Sequence, residues 1–186
     1  MGLQLVDFCN LPRAALFSKR MAQKDSSPNK NFIPVKVQRL EFSTRIDAEI
    51  DQVWAFFARA ANLARLTPPE MALKDRFEAL ADEVYPGMII VHEVKPLPFY
   101  TTSWVTEILT VEPPHRFVDV QRSGPFAIWH HEHRLSQLPA GTEVKDILHY
   151  ALPFGPLGSL AHALFVKRQL LNTFEFREKK LREIFA

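Results

Sequence analysis

A chain of 186 residues with 47% hydrophobic side chains, among them 15 Phe and 3 Trp, has the size and apolar content of one domain, or one domain with a tail, and not of a disordered polypeptide. Its 23 Lys and Arg against 21 Asp and Glu leave a net charge of +2, too balanced for binding driven by phosphate neutralisation, so no nucleic acid is expected as a partner. A single cysteine, Cys9, excludes an intrachain disulfide and a cysteine-based zinc cage and suits a reducing compartment. With no apolar run near the ~18 residues a transmembrane segment needs, the expected location is cytoplasmic.

Residues 1–34 read as a poorly ordered N-terminal arm and residues 35–186 as one ligand-binding domain. The first 21 residues place basic residues after an apolar patch without a long apolar core, unlike a secretory signal, and Val6 stands where N-myristoylation requires Ser or Thr. Ala22 to Lys30 (AQKDSSPNK) has the composition of a linker. Met21 stands just before it, so a start codon there accounts for the preceding twenty residues as well as a targeting segment does.

From Val35 to Ile46 the residues alternate as an edge-like strand, with Leu40, Phe42 and Thr44 on one side and Arg39 and Glu41 on the other. Asp47 is placed to cap the next helix, on which Ile50, Val53, Trp54 and Phe57 form an apolar stripe. Pro68 and Pro69 stop that helical segment and push Thr67 extended. Between Met71 and Tyr150 the period shifts to two and turn signals recur at YPG, EPPH, SGP and PAG, predicting five or six antiparallel strands. After the break at LPFGPLG, Pro156 opens a final helix of about thirty residues, some 45 Å at 1.5 Å per residue. Leu157, Leu160, Ala161, Leu164, Leu171, Phe174, Leu181 and Phe185 are expected on its buried face.

The fold class is therefore α+β, a curved antiparallel sheet wrapped around a long C-terminal helix, with a cavity between them where small apolar ligands bind. FSTRIDAEIDQVWAFF, NLARLTPP, WVTEILTVEPPHRFVDVQRSGPFAIWHHEHRL and YALPFGPLG, in this order of elements, resemble the START-like helix-grip superfamily. Within it, the chain looks most like bacterial ligand-binding SRPBCC proteins related to polyketide cyclase/dehydrases, over roughly Val35 to Ala186. The resemblance implies a hydrophobic internal cavity under the C-terminal helix. It leaves carrier, cyclase and sensor roles open, because one fold hosts them all. Relatives of this kind are also found fused to nucleotide-sugar epimerase-like proteins.

The strand from Phe126 to Gln137 is the most informative about chemistry. With Trp129 inward, period two brings His131, His133 and Leu135 to the same side and turns His130, Glu132 and Arg134 out. A four-residue loop at Pro139 sets Leu135 against Val144, His133 against Asp146 and Trp129 against Tyr150 on the following strand. An inward carboxylate beside an inward imidazole favours the charged pair. Trp104, Thr106 and Ile108, and across the EPPH turn Phe117, Asp119 and Gln121, share the same face and add polar groups to an aromatic wall. Leu164 and Arg168 are expected on the apolar stripe of the final helix, with Arg168 meeting a ligand carboxylate or snorkelling at the rim.

Each feature has a bland counterpart. The HxH of His131 and His133 lacks an evident third ligand, so no metal and no cofactor are expected. The His133–Asp146 pair serves as an interior hydrogen bond, or, if the protein is an enzyme, as a general acid or base. The absence of GxxxxGK[ST], GxGxxG and GxSxG leaves phosphate-loop, dinucleotide and serine-hydrolase chemistry without local support. The leading expectation is a carrier or binder of a small hydrophobic ligand, a lipid, polyketide or aromatic. A cyclase or dehydratase is the alternative, and a partner-binding module in division or envelope processes, recognising exposed residues such as His130 and Glu132, the third.

Overall fold

Strand β1 (Gln38–Ile46) buries alternate residues, with Thr44 and Ile46 inside and Arg39, Glu41, Ser43 and Arg45 exposed. The computed structural model describes residues 35–71, 73–75, 83–97, 100–155, 158 and 162–186. The arm expected at 1–34 lies outside them, as do Pro156, Leu157, Leu160 and Ala161. Helix α1 (Ile50–Phe57) buries Val53, Trp54, Phe56 and Phe57. Its N-cap is Glu49 and not Asp47, and no side chain of the cap residue bonds the first turn. The amide of Ile50 donates instead to Gln137 Oε1 at 3.1 Å, so a distant strand supplies what a local carboxylate was expected to supply. A 3₁₀ segment (Ala60–Leu66) follows and ends at Thr67, which is extended (φ −108°, ψ 133°) ahead of Pro68.

Six further strands continue the sheet among the described residues: β2 (Lys74–Asp75), β3 (Ile89–Leu97), β4 (Tyr100–Glu112), β5 (Arg116–Ser123), β6 (Ile128–Gln137) and β7 (Thr142–Ala151). They form one curved antiparallel sheet in the order β1-β7-β6-β5-β4-β3-β2. β2 to β7 are therefore a meander, and β1 returns to pair with β7 from Gln38↔Tyr150 to Ile46↔Thr142. The β6–β7 register matches the sequence reading, with Gln137↔Thr142, Leu135↔Val144, His133↔Asp146 and Trp129↔Tyr150. Gly141 closes this hairpin at φ +86°, and a Cβ there would stand 2.1 Å from the carbonyl oxygen of Ile46. Only glycine fits that turn.

The final helix, α2 (Lys167–Ile184), follows a π turn (His162–Val166). It buries Leu170, Phe174, Arg177 and Leu181. Leu164 is 67% exposed and Leu171 40% exposed, and Arg168 is exposed as well, against the expected stripe. The wider π turn changes the rotation per residue, so a face projected through it in steps of 3.6 emerges out of phase. With the π turn, helical residues run unbroken from His162 to Ile184, and most of the preceding part of the expected rod lies outside the described residues. Among the described residues no helix is long and apolar enough to cross a membrane.

Among the described residues, two apolar clusters result. One gathers Val53, Trp54, Phe57, Phe117, Leu135, Val144 and Leu181. The other gathers Leu148, Tyr150, Leu170 and Phe174, with Phe42, Phe126 and Trp129 against them. Along β7, Val144 belongs to the first and Leu148 to the second; along β6, Leu135 and Trp129 do the same. The residues between them on these strands are Asp146, His131 and His133. The seam of the core is polar.

Candidate ligand cavity and its histidine–aspartate cluster

A partly open cavity of about 190 Å³ lies between the sheet, α1 with its 3₁₀ extension, and α2. Trp104, Thr106, Ile108, Phe117, Asp119, Trp129, His131 and His133, all expected there, line it. Trp104 meets Trp129 edge to face at 4.9 Å, and Phe126 packs on both at 5.6 and 4.8 Å, giving an aromatic wall. Five expected residues lie elsewhere. Gln121 turns to the backbone of Phe126, donating to its carbonyl at 2.6 Å and accepting from its amide, and so braces the turn before β6. Tyr150 is fully buried in the second core cluster. Asp146 sits behind the two imidazoles and does not line the cavity. Leu164 and Arg168, on the exposed side of the helix, do not reach it.

Strand pairing explains how the polar groups converge. Asp119 lies directly across from His131 on the β5–β6 ladder, with Phe117 across from His133. Asp146 lies across from His133 on the β6–β7 ladder. His133 Nε2 is 2.9 Å from Asp119 Oδ2, and its Nδ1 is 2.8 Å from Asp146 Oδ1. His131 Nε2 reaches the same Asp146 Oδ1 at 3.0 Å, while its Nδ1 is 3.6 Å from Asp119 Oδ2. From α2, an Arg177 guanidinium nitrogen stands 3.2 Å from Asp146 Oδ1. The ring of His133 stacks on Phe117 at 4.1 Å.

Every member is at least four-fifths buried, so charge balance decides protonation. Burial works to lower the pKa of His133, but its hydrogen bonds to Asp119 and Asp146 outweigh burial and hold it above the usual value. Burial and the charge of His133 push His131 below that value, against the pull of Asp146. Asp146 suffers the same desolvation, yet Arg177 and the imidazoles hold it well below the carboxylate range. Asp119 is likewise lowered, chiefly by His133, against burial. Of the two imidazoles His133 is therefore the one that protonates first, and its charge, with the guanidinium of Arg177, offsets two carboxylates.

Many of the lining residues were not singled out from the sequence, and two of those are buried ionisable groups. Arg177 is buried, lines the cavity and has a side-chain Nε without a hydrogen-bond partner among the described residues. Its signal was a cation three residues after Phe174 and four before Leu181, on a stripe otherwise apolar. His92 lines the cavity at 2% exposure, and its signal was its place between Ile90 and Val94 at strand period. Glu132, expected outside and exposed, is on the outer face but buried beneath Arg116 and Arg134.

Residues 46–176 match the family model described as polyketide cyclase / dehydrase and lipid transport. The chain belongs to that family. Solved structures of similar fold include protein Ms6760 from Mycobacterium smegmatis, at 12% identity over 82% of this chain and 98% of that one (TM-score 0.58). Norcoclaurine synthase from Thalictrum flavum, a point mutant solved with a transition-state analogue, is 14% identical over 83% of this chain and all of its own, with a TM-score of 0.59. The nucleoside-diphosphate sugar epimerase from Corynebacterium glutamicum is 23% identical over 77% of this chain and 28% of its own (TM-score 0.57). No curated protein sequence matches. At these identities the likeness establishes the helix-grip fold shared with polyketide cyclase / dehydrase family members, and the chemistry has to be argued from the cavity.

Proposed function

We propose that this protein binds a small, mainly apolar molecule that carries an oxygen-bearing end, enclosing a ring-sized portion of it in the cavity. The supporting observation is the juxtaposition of the Trp104–Phe126–Trp129 wall with the His131–His133–Asp119 cluster and the under-bonded Arg177 guanidinium. Apolar walls with a few convergent polar groups favour such ligands, burial supplying affinity and the polar groups orientation. Volume narrows the class. About 190 Å³ is close to the ~150 Å³ of an apolar cavity that holds benzene and below the ~300 Å³ at which drug-sized pockets begin. A phenol, a naphthol or one end of a longer polyketide or lipid fits this description, and a whole diacyl lipid does not. Native mass spectrometry of the full chain with naphthols, naphthoates and fatty acids tests the reading. Retention of one ring compound per chain supports it, and no uptake from any class contradicts it.

A cyclase- or dehydratase-like turnover is the second reading, favoured by His133 itself. Its imidazole lines the cavity and is held between two carboxylates, an arrangement that donates and recovers a proton at a fixed place. Neighbours named as norcoclaurine synthase and as the di-domain ARO/CYC protein BexL from the BE-7585A biosynthetic pathway share the fold. On this reading His133→Gln abolishes conversion of a bound substrate and barely alters its affinity.

A further inference from the structure

The two imidazoles share one carboxylate oxygen behind them, and a guanidinium nitrogen of Arg177 also stands 3.2 Å from His133 Nδ1. His131 Nε2 and His133 Nδ1 stand 3.0 and 2.8 Å from the same Asp146 Oδ1, and Arg177 holds that carboxylate from α2. The remaining nitrogens, His131 Nδ1 and His133 Nε2, face Asp119 Oδ2 at 3.6 and 2.9 Å. A carboxylate behind two histidines, fixing ring orientation while the front nitrogens converge with another carboxylate, is the outer shell that metal-binding histidines use. We propose that Asp119, His131 and His133 form a binding site for a divalent first-row transition ion at the polar end of the cavity.

Donor separation supports this. Metal–ligand bonds of about 2.0 to 2.2 Å place donors about 3.0 to 3.5 Å apart. The donor atoms of Asp119, His131 and His133 lie within 4.8 Å of one another, and the two histidine–Asp119 separations of 2.9 and 3.6 Å bracket that range, so small side-chain rotations close the triangle. Two imidazoles and one carboxylate select ions of the zinc, cobalt and ferrous class over calcium and magnesium, which prefer all-oxygen cages. Three protein donors leave further coordination positions open, on the side of the cavity that all three residues line. Binding releases to solvent the proton between His133 Nε2 and Asp119 Oδ2, so in the loaded protein His133 ligates the ion and does not serve as an acid. The sequence showed the HxH pair. It concealed Asp119 as the third donor, because that residue arrives through the β5–β6 register.

The test is a titration of the full chain, labelled with ¹⁵N-histidine, with Zn(II), alongside Co(II) absorption spectra and metal analysis after dialysis. One ion per chain is expected, with imidazole ¹⁵N shifts at His131 Nδ1 and His133 Nε2 and none at His130 or His149, whose side chains lie off this cluster. Asp119→Asn and His131→Gln, checked for folding by circular dichroism, lose the ion, while His130→Gln keeps it. Asp146→Asn weakens binding about 10- to 100-fold through lost orientation. Failure of the unmodified chain to take up Zn(II) or Co(II), or shifts confined to other histidines, overturns the proposal. Either outcome is independent of ligand uptake by the metal-free chain, which tests the binding reading alone.

Discussion

Arg177, one turn from the C-terminal end of the buried helix face, holds Asp146 of β7 with a guanidinium nitrogen 3.2 Å from Oδ1. This contact ties the helix to the polar seam of the sheet. It also supplies a positive charge that helps hold the Asp146 carboxylate ionised in the core. Arg177→Met is expected to destabilise the protein by about 3 to 5 kcal/mol, the cost of stranding a buried charge. Urea denaturation of the variant measures it, and a loss below about 1 kcal/mol would show that Arg177 is dispensable to the cluster.

The phase of α2 is tested by neighbouring leucines. Leu170 is 8% exposed and packs beneath the helix, whereas Leu171 is 40% exposed. Leu170→Ala is expected to cost about 2 to 5 kcal/mol through lost burial and a residual cavity. Leu171→Ala is expected to change stability by no more than about 0.5 kcal/mol. Equal effects by thermal or chemical denaturation would mean that the helix sits rotated from the position described.

The β6–β7 hairpin was legible from sequence because parity, loop length and the apolar pairs Leu135–Val144 and Trp129–Tyr150 all agreed on one register. His133 was accordingly placed beside Asp146. That His131 shares the same carboxylate oxygen, and that Asp119 closes the cluster, depended on a second ladder. The β4–β5 pairing that carries Asp119 has register shifts near Val105 and Ile108 that no local pattern announces. The helix was misread for a similar reason. A π turn at His162–Val166 has no compositional signature, so the buried cation was sought at Arg168 and stands at Arg177. Glu49 replaces Asp47 at the start of α1 because Gln137, 87 residues away, meets the free amide of Ile50.

In the metal-free protein the two imidazoles pull stability in opposite directions with pH. His133 is raised above the usual 6.5, so its contribution is full below that pH and is lost as pH rises through its folded pKa. His131 is lowered below 6.5, so its contribution is full above that pH and is lost as pH falls through its folded pKa. Together they favour a stability maximum near pH 6.5, with Asp119 and Asp146 adding a further loss only below their usual 3.8. Denaturation across pH 4 to 9 in the presence of a chelator is expected to show His133→Gln with a flattened alkaline limb. His131→Gln is expected to flatten the limb just below pH 6.5. Unchanged limbs in both variants would contradict the assigned protonation states.

Cavity occupancy is expected to respond to filling. Thr106 is buried on β4 and lines the space beside Trp104. Thr106→Trp places a side chain where the ligand's ring is proposed to lie, and ligand affinity is expected to fall by at least about tenfold, or about 1.4 kcal/mol. Intrinsic tryptophan fluorescence, followed during titration with a non-fluorescent phenol, reports the change. Undiminished affinity in a folded variant would place the ligand elsewhere.

Calorimetric titration of the full chain with 2-naphthol at several temperatures addresses the proposed function most directly. One site per chain with a negative heat-capacity change, lost in Thr106→Trp, is the predicted result, since burial of apolar surface carries that mark. Absence of binding heat at every temperature, or identical binding in the filled variant, would contradict the account.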